Sequence, residues 1–168
     1  MKRITQILGF VGSGRMAAAL GRGCVQSGLV AAEQVLATDP SQEARQRFAE
    51  QGPGASLVNS GEQLLSQTDI VVLAVKPQVM AAVLADLAPH AADRHLFVSI
   101  AAGITLTNLD ALLPAGKIVR VMPNTPCLIG LGASCYSLGR MASDDEGQLV
   151  QQILDSVGTA NHVEETML

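Results

Sequence analysis

The sequence predicts an α/β fold: a doubly wound, mainly parallel sheet flanked by helices, with extra short strands near the C-terminus. Three observations predict it. Short apolar runs alternate with helix-length segments along the whole chain, and strands separated by helices pair in parallel. The run Ile70-Val71-Val72-Leu73-Ala74-Val75 is continuously apolar, as a central strand buried on both faces requires. Hydrophobic residues make up 48% of the chain and aromatics only 2%, so the core is built from aliphatic side chains. The length of 168 residues suits one domain over residues 1–168.

Taken in order, the first strand is expected over Ile4–Val11 and the first helix over Gly14–Ser27, closed by Gly28. The second strand covers Gln34–Thr38 and ends at Asp39-Pro40. Ser41 then caps a helix over Gln42–Gln51, which Gly52-Pro53-Gly54 breaks. A short strand over Ala55–Val58 follows. Ser60-Gly61-Glu62-Gln63 resembles a capping box and opens a short helix to Ser66. The apolar run from Ile70 ends at Lys76-Pro77, where Pro77 suits the first turn of a helix over Gln78–Leu87. A strand over His95–Ile100, a helix over Leu106–Leu112 and a strand over Lys117–Met122 come next. The last elements are a strand over Gly132–Ser137, a helix over Asp144–Ser156 with the capping box Ser143-x-x-Glu146, and a strand over Thr159–Val163.

The most informative stretch is the first strand-to-helix junction, Val11-Gly12-Ser13-Gly14-Arg15-Met16-Ala17. Gly12-x-Gly14-x-x-Ala17 fits the dinucleotide-binding fingerprint of the Rossmann fold. Gly12 permits the tight turn, Gly14 lets a pyrophosphate approach the backbone, and Ala17 lets helix and strand pack closely. The helix N-terminus offers free N–H groups and the positive end of its dipole. Asp39 lies about 25 residues beyond the glycines, at the end of the second strand, where a carboxylate accepts from the adenine-ribose hydroxyls. The same residue also suits the turn before the second helix. A carboxylate there repels a 2′-phosphate and tilts the cofactor towards NAD, while Ser41 and Arg45 leave NADP open. Val75-Lys76-Pro77, Ala101-Ala102-Gly103 and Met122-Pro123-Asn124-Thr125-Pro126 are expected at the same carboxyl edge of the sheet.

Composition excludes other classes. The net charge is −4 and Lys and Arg do not cluster, so a nucleic-acid footprint is missing. No apolar run reaches the roughly 18 residues needed to span a bilayer, and the N-terminus does not read as a signal peptide. A cytoplasmic protein is expected, or one of an organellar matrix after loss of a leader. Cys24, Cys127 and Cys135 match no zinc spacing and read as packed thiols. His90, His95 and His162 read as surface or helix-end residues, so no metal site is expected.

Four blocks resemble pyrroline-5-carboxylate reductase. They are Gly9-Phe10-Val11-Gly12-Ser13-Gly14-Arg15-Met16, Ala74-Val75-Lys76-Pro77, Val98-Ser99-Ile100-Ala101-Ala102-Gly103-Ile104 and Arg120-Val121-Met122-Pro123-Asn124-Thr125-Pro126. The resemblance implies transfer of a hydride from NADH or NADPH to the C=N carbon of 1-pyrroline-5-carboxylate, a small-molecule substrate, giving L-proline. It implies that Val11, Gly12, Ser13, Gly14, Arg15 and Met16 wrap the pyrophosphate and that Asp39 and Asn59 lie near the adenosine ribose. It further implies that Val75, Lys76, Pro77, Ala102 and Asn124 line the path to the nicotinamide, and it matches Glu165 to an acidic position at the domain junction. The family carries a helical domain that builds the dimer and holds the substrate site and proton donor. That part is expected beyond Leu168, so the chain resembles the cofactor domain alone, inactive by itself and with apolar surface exposed. Two alternatives stay open: a non-catalytic dinucleotide-binding module, and a domain of a 6-phosphogluconate or β-hydroxyacid-type dehydrogenase.

Overall fold

The computed structural model describes residues 3–51 and 54–168. Gly52 and Pro53, expected to break the second helix, lie outside the described residues, as do Met1 and Lys2. The elements run β1 (Leu8–Val11), α1 (Arg15–Gln26), β2 (Val35–Thr38), α2 (Gln42–Gln51), β3 (Ser56–Leu57), α3 (Gly61–Leu65), β4 (Ile70–Leu73) and α4 (Pro77–Leu87). They continue with β5 (Leu96–Ser99), α5 (Leu106–Leu112), β6 (Lys117–Met122), β7 (Gly132–Leu138), α6 (Asp144–Asp155) and β8 (Gly158–His162). The strands form one sheet in the order β3-β2-β1-β4-β5-β6-β7-β8. Its first six strands are parallel, in the doubly wound order expected of two mononucleotide-binding halves.

Side chains alternate across the sheet and so divide the core in two. Leu8, Phe10, Val35, Ile70, Val72, Val98 and Val119 pack against α1, α2 and α6. Val11, Leu36, Val71, Leu73, Phe97 and Ile118 pack on the opposite face against α3, α4 and α5. The apolar run from Ile70 is therefore buried from both sides, as its composition predicts.

β7 departs from the parallel pattern and pairs antiparallel with β6. The nine residues between them form only a short 3-10 turn over Thr125–Ile129, too little for a crossover, so the chain doubles back. α6 then supplies a crossover, and β8 runs parallel to β7. The first strand begins at Leu8 instead of Ile4 because side chains claim the preceding backbone. The Gln34 amide donates to the carbonyls of Ile4 and Gln6, and the Ile7 N–H donates to the Asp69 carboxylate.

The Ser143–Glu146 capping box closes in both directions at α6. At α3 only half of the box forms. Ser60 accepts from the Gln63 N–H, but the Gln63 side chain reaches the Asn59 N–H instead of that of Ser60. Cys24 and Cys127 are buried and Cys135 half-buried, all as free thiols, and burial pushes the Cys24 thiol up to about 11. Among the described residues no helix is long and apolar enough to cross a membrane.

His95 is a correction to its surface reading, since it is 1% exposed. Its Nδ1 accepts from the Ala92 N–H at 2.9 Å, which leaves Nε2 to donate to the Leu65 carbonyl at 3.0 Å. Acceptance at Nδ1 requires the neutral ring. Burial, helped by the Arg94 charge, holds its pKa below the usual 6.5. The unfolded chain therefore binds this proton more readily than the folded one. Stability is expected to fall as pH drops below about 6.5, before the depressed carboxyls of Glu146 and Glu165 begin to titrate. Urea midpoints measured between about pH 7.5 and pH 5.5 check this, with His95→Gln expected to flatten the slope.

Candidate functional site

The carboxyl ends of β2, β1, β4, β5 and β6 lie side by side, and every singled-out motif sits on that edge. At the end of β1 the chain turns sharply into α1. Gly12 has φ +91°, and a Cβ added there would stand 2.7 Å from the Ala74 carbonyl oxygen. Only glycine meets both conditions, and the Gly12 N–H donates to the Thr38 carbonyl across the sheet.

Gly14 is different. A Cβ added there meets no protein atom within 4 Å, so no packing constraint within the fold calls for glycine. What it leaves open is the approach to the α1 N-terminus. α1 has no side-chain cap and no acidic residue in its first turn. α3, α5 and α6 are capped by Ser60, Thr105 and Ser143, and α6 carries Asp144, Asp145 and Glu146 in its first turn. The uncapped turn of α1 presents free N–H groups and its dipole, with Arg15 adding a positive charge. Beside it, Ser13 is 5% exposed and its hydroxyl has no partner among the described residues. A buried donor left open at a helix N-terminus suits an anion, and the residues present fit a bound pyrophosphate.

Asp39 ties this turn to the next helix. One carboxylate oxygen accepts from the Ser13 N–H and the other from the Ser41 N–H, each at 2.9 Å. Ser41 in turn caps α2 by accepting from the Ala44 N–H. The turn role read for Asp39 is thus present. Each oxygen keeps a second lone-pair direction for a further donor such as a ribose hydroxyl.

A cavity of about 280 Å³ is lined by Val11, Gly12, Asp39, Asn59 and Val75 together with Thr38 and Ser60. Ser13, Gly14 and Arg15 line a second cleft of about 130 Å³ against Arg47 and Phe48 of α2. Asn59 is exposed, and its side-chain oxygen accepts from Arg45 at 3.0 Å, so α2 and the β3–α3 loop form one wall. Met16 is half-buried and packs into the core of α1.

The other expected residues do not line these cavities. Lys76 is exposed at the N-cap of α4 and Pro77 is that helix's first residue. Ala102 is exposed three residues past β5, and Asn124 is exposed two residues past β6. The Asn124 side chain is partly committed, accepting from the Ala133 N–H at 3.0 Å to hold the start of β7. These residues follow the carboxyl ends of β4, β5 and β6 along the same edge. From β2 to β6 is four strand spacings of about 4.8 Å, about 19 Å, the scale of an extended dinucleotide and not of a mononucleotide.

Sequence reasoning attached no role to two residues that the structure ties into this region. Thr38 closes the glycine turn through its backbone, which no side-chain motif reveals. Arg120 is buried in β6, and the sequence shows it as a charge inside the apolar run Ile118–Met122 and as the first residue of the last resembling block, with no role attached.

The glycine turn falls at the point where the strand order reverses, between β1 and β4, and the acid ends the neighbouring strand. Fold and edge together define a dinucleotide-binding domain of the Rossmann class. The chain belongs to the family described as NADP oxidoreductase coenzyme F420-dependent, whose model matches residues 7–103. Over 95% of its length it is 39% identical to pyrroline-5-carboxylate reductase 3 of Mus musculus, of which it covers 58%. It superposes on a pyrroline-5-carboxylate reductase from Coxiella burnetii with a TM-score of 0.88 at 29% identity, covering 96% of this chain and 60% of that one. For pyrroline carboxylate reductase of Plasmodium falciparum with NADP bound, the TM-score is 0.86 at 30% identity, covering 98% and 60%. The resemblance carried by the four sequence blocks is borne out. The chain spans about three fifths of the length of these relatives.

Proposed function

We propose that this chain is the dinucleotide-binding domain of an NAD(P)H-dependent reductase that converts 1-pyrroline-5-carboxylate to L-proline. The observation that carries the cofactor part is the uncapped N-terminus of α1, open at Gly14 and flanked by the orphaned Ser13 hydroxyl. The substrate part rests on the similarity to pyrroline-5-carboxylate reductases along nearly the whole chain.

The α1 N–H groups and Ser13 hold the pyrophosphate, and Asp39 and Asn59 border the adenosine ribose. Val75, Lys76, Pro77, Ala102 and Asn124 border the nicotinamide end. The bound reduced nicotinamide supplies a hydride to an imine carbon. The residues of this chain position that ring and keep water from one side of it. On this reading the substrate-carboxylate site and the proton donor lie outside residues 1–168, as the family resemblance implies. Val79, near the start of α4, and Ile129 and Leu131, between β6 and β7, are large apolar side chains exposed where the chain leaves the carboxyl ends of β4 and β6. They suit a docking face for a helical domain that completes a homo-oligomer, working in the cytoplasm.

Calorimetric titration with NADH and, separately, NADPH tests the cofactor reading. Saturable binding of at least one supports it, and heats no larger than dilution overturn it. Asp39→Asn removes the charge beside the ribose while keeping one acceptor oxygen. It is expected to raise the ratio of NADPH to NADH affinity about tenfold, because the carboxylate repels a 2′-phosphate. An unchanged ratio in the same titrations would remove Asp39 from cofactor choice.

A further inference from the structure

A row of polar side chains crosses the sheet beneath α5. Ser99 of β5 is paired in register with Arg120 of β6, and Arg120 with Ser137 of β7. All three are buried, on the face that carries Phe97 and Ile118. The segment after β8 closes over this row. The Ser137 hydroxyl donates to the Val163 carbonyl. Glu165 Oε1 accepts from Arg120 Nη1 at 2.8 Å and from the Leu106 N–H at 2.6 Å. Leu106 is the first residue of α5, and the loop 100–105 that precedes it carries Ala102. Burial pushes the Glu165 carboxyl up, but the Leu106 N–H and the Arg120 guanidinium together hold it below the usual value, so it is charged at neutral pH.

One carboxylate oxygen therefore joins three elements: the last segment of the chain, the sheet, and the loop at the nicotinamide end of the groove. We propose that Glu165 is a positioning residue, holding loop 100–105 in place for the nicotinamide half of the cofactor by pinning the start of α5 to Arg120. It touches no reacting atom. The proposal rests on the cofactor reading above, and it deepens it by coupling the segment after β8 to one half of the cofactor site. Among the described residues no hydrogen bond or ion pair links Glu165 to the glycine turn or to the loop after β2, so the adenosine half is expected to be independent of it.

The test compares NADPH with ADP-ribose, which lacks the nicotinamide, on the whole chain and on Glu165→Ala. NADPH affinity is expected to fall about fivefold, with ADP-ribose affinity within about twofold of the unsubstituted chain. Backbone hydrogen exchange without ligand is expected to rise about tenfold over residues 100–106 and to stay unchanged in β1 and β4. Glu165→Gln, which keeps the acceptor, is expected to restore most of both effects. Because Glu165→Ala strands a buried guanidinium, the double variant Arg120→Met, Glu165→Met is the second probe. It leaves no charge buried and is expected to show the same loosened loop in a stable fold. Equal losses for NADPH and ADP-ribose, or unchanged exchange over 100–106, would overturn the proposal. Failure of the unsubstituted chain to bind either ligand would instead overturn the cofactor reading, and the exchange data would still decide the role of Glu165.

Discussion

Gly14→Trp is expected to abolish dinucleotide binding while leaving the fold in place. Gly14 sits at φ −73° and ψ −177°, extended backbone open to any residue, and its Cβ position faces open space. The indole therefore meets no protein atom at its root and projects over the α1 N-terminus, the proposed pyrophosphate site. The loss in affinity is expected to be about 100-fold or more, corresponding to about 2.8 kcal/mol. Glycine at an N-cap is itself better than a large apolar residue by about 1 kcal/mol, so the melting temperature should drop by only about 2–4 °C. Calorimetry for binding and circular dichroism for melting separate the two effects. Retention of affinity within a few-fold would mean that the phosphates do not cross this turn.

The largest effect on stability is expected at Gly158→Ala. Gly158 has φ +156° and opens β8 directly against Gly132, its partner at the start of β7. A Cβ there would lie inside the van der Waals shell of the Gly132 backbone, and no rotamer change can relieve a clash with main chain. The β7–β8 pairing must shift or open. The backbone strain and the overpacking together are expected to cost about 3 kcal/mol, or on the order of 10 °C in melting temperature for a chain of this size. Thermal melting measures the loss. Hydrogen exchange should show it concentrated in β7, β8 and the segment after them, and a change below about 1 kcal/mol would contradict the packing described.

Much of the fold was legible because its signals are local. Strands buried on both faces must be apolar throughout, and the run from Ile70 advertises this. Helix starts announce themselves at Ser41, Pro77 and Ser143, where a side chain or a ring satisfies the first turn. The edges of elements were less legible. β1 starts late because Gln34 and Asp69 take the backbone groups of residues 4–7, partners far away in sequence. His95 looked like a surface residue because nothing in its neighbourhood of sequence reveals that Leu65 and Ala92 enclose it.

For the candidate site, residue types on the sequence were enough to identify the glycine turn, the acid after β2 and the small-residue and proline motifs after β4, β5 and β6. Backbone conformation and close approach depend on glycine in a way that no other residue can imitate, so Gly12 speaks through sequence alone. The tertiary structure decided which of these residues share a cavity, and it separated Val11, Gly12, Asp39, Asn59 and Val75 from the exposed line of Lys76, Ala102 and Asn124. It also decided that Asp39 braces the glycine turn against the start of α2, and that Glu165 clasps Arg120 and the start of α5. Those outcomes depend on hydrogen bonds between residues as far apart as Leu106 and Glu165. A local pattern encodes the conformation a residue needs, whereas the partner of a buried charge is chosen only when the sheet brings distant strands together.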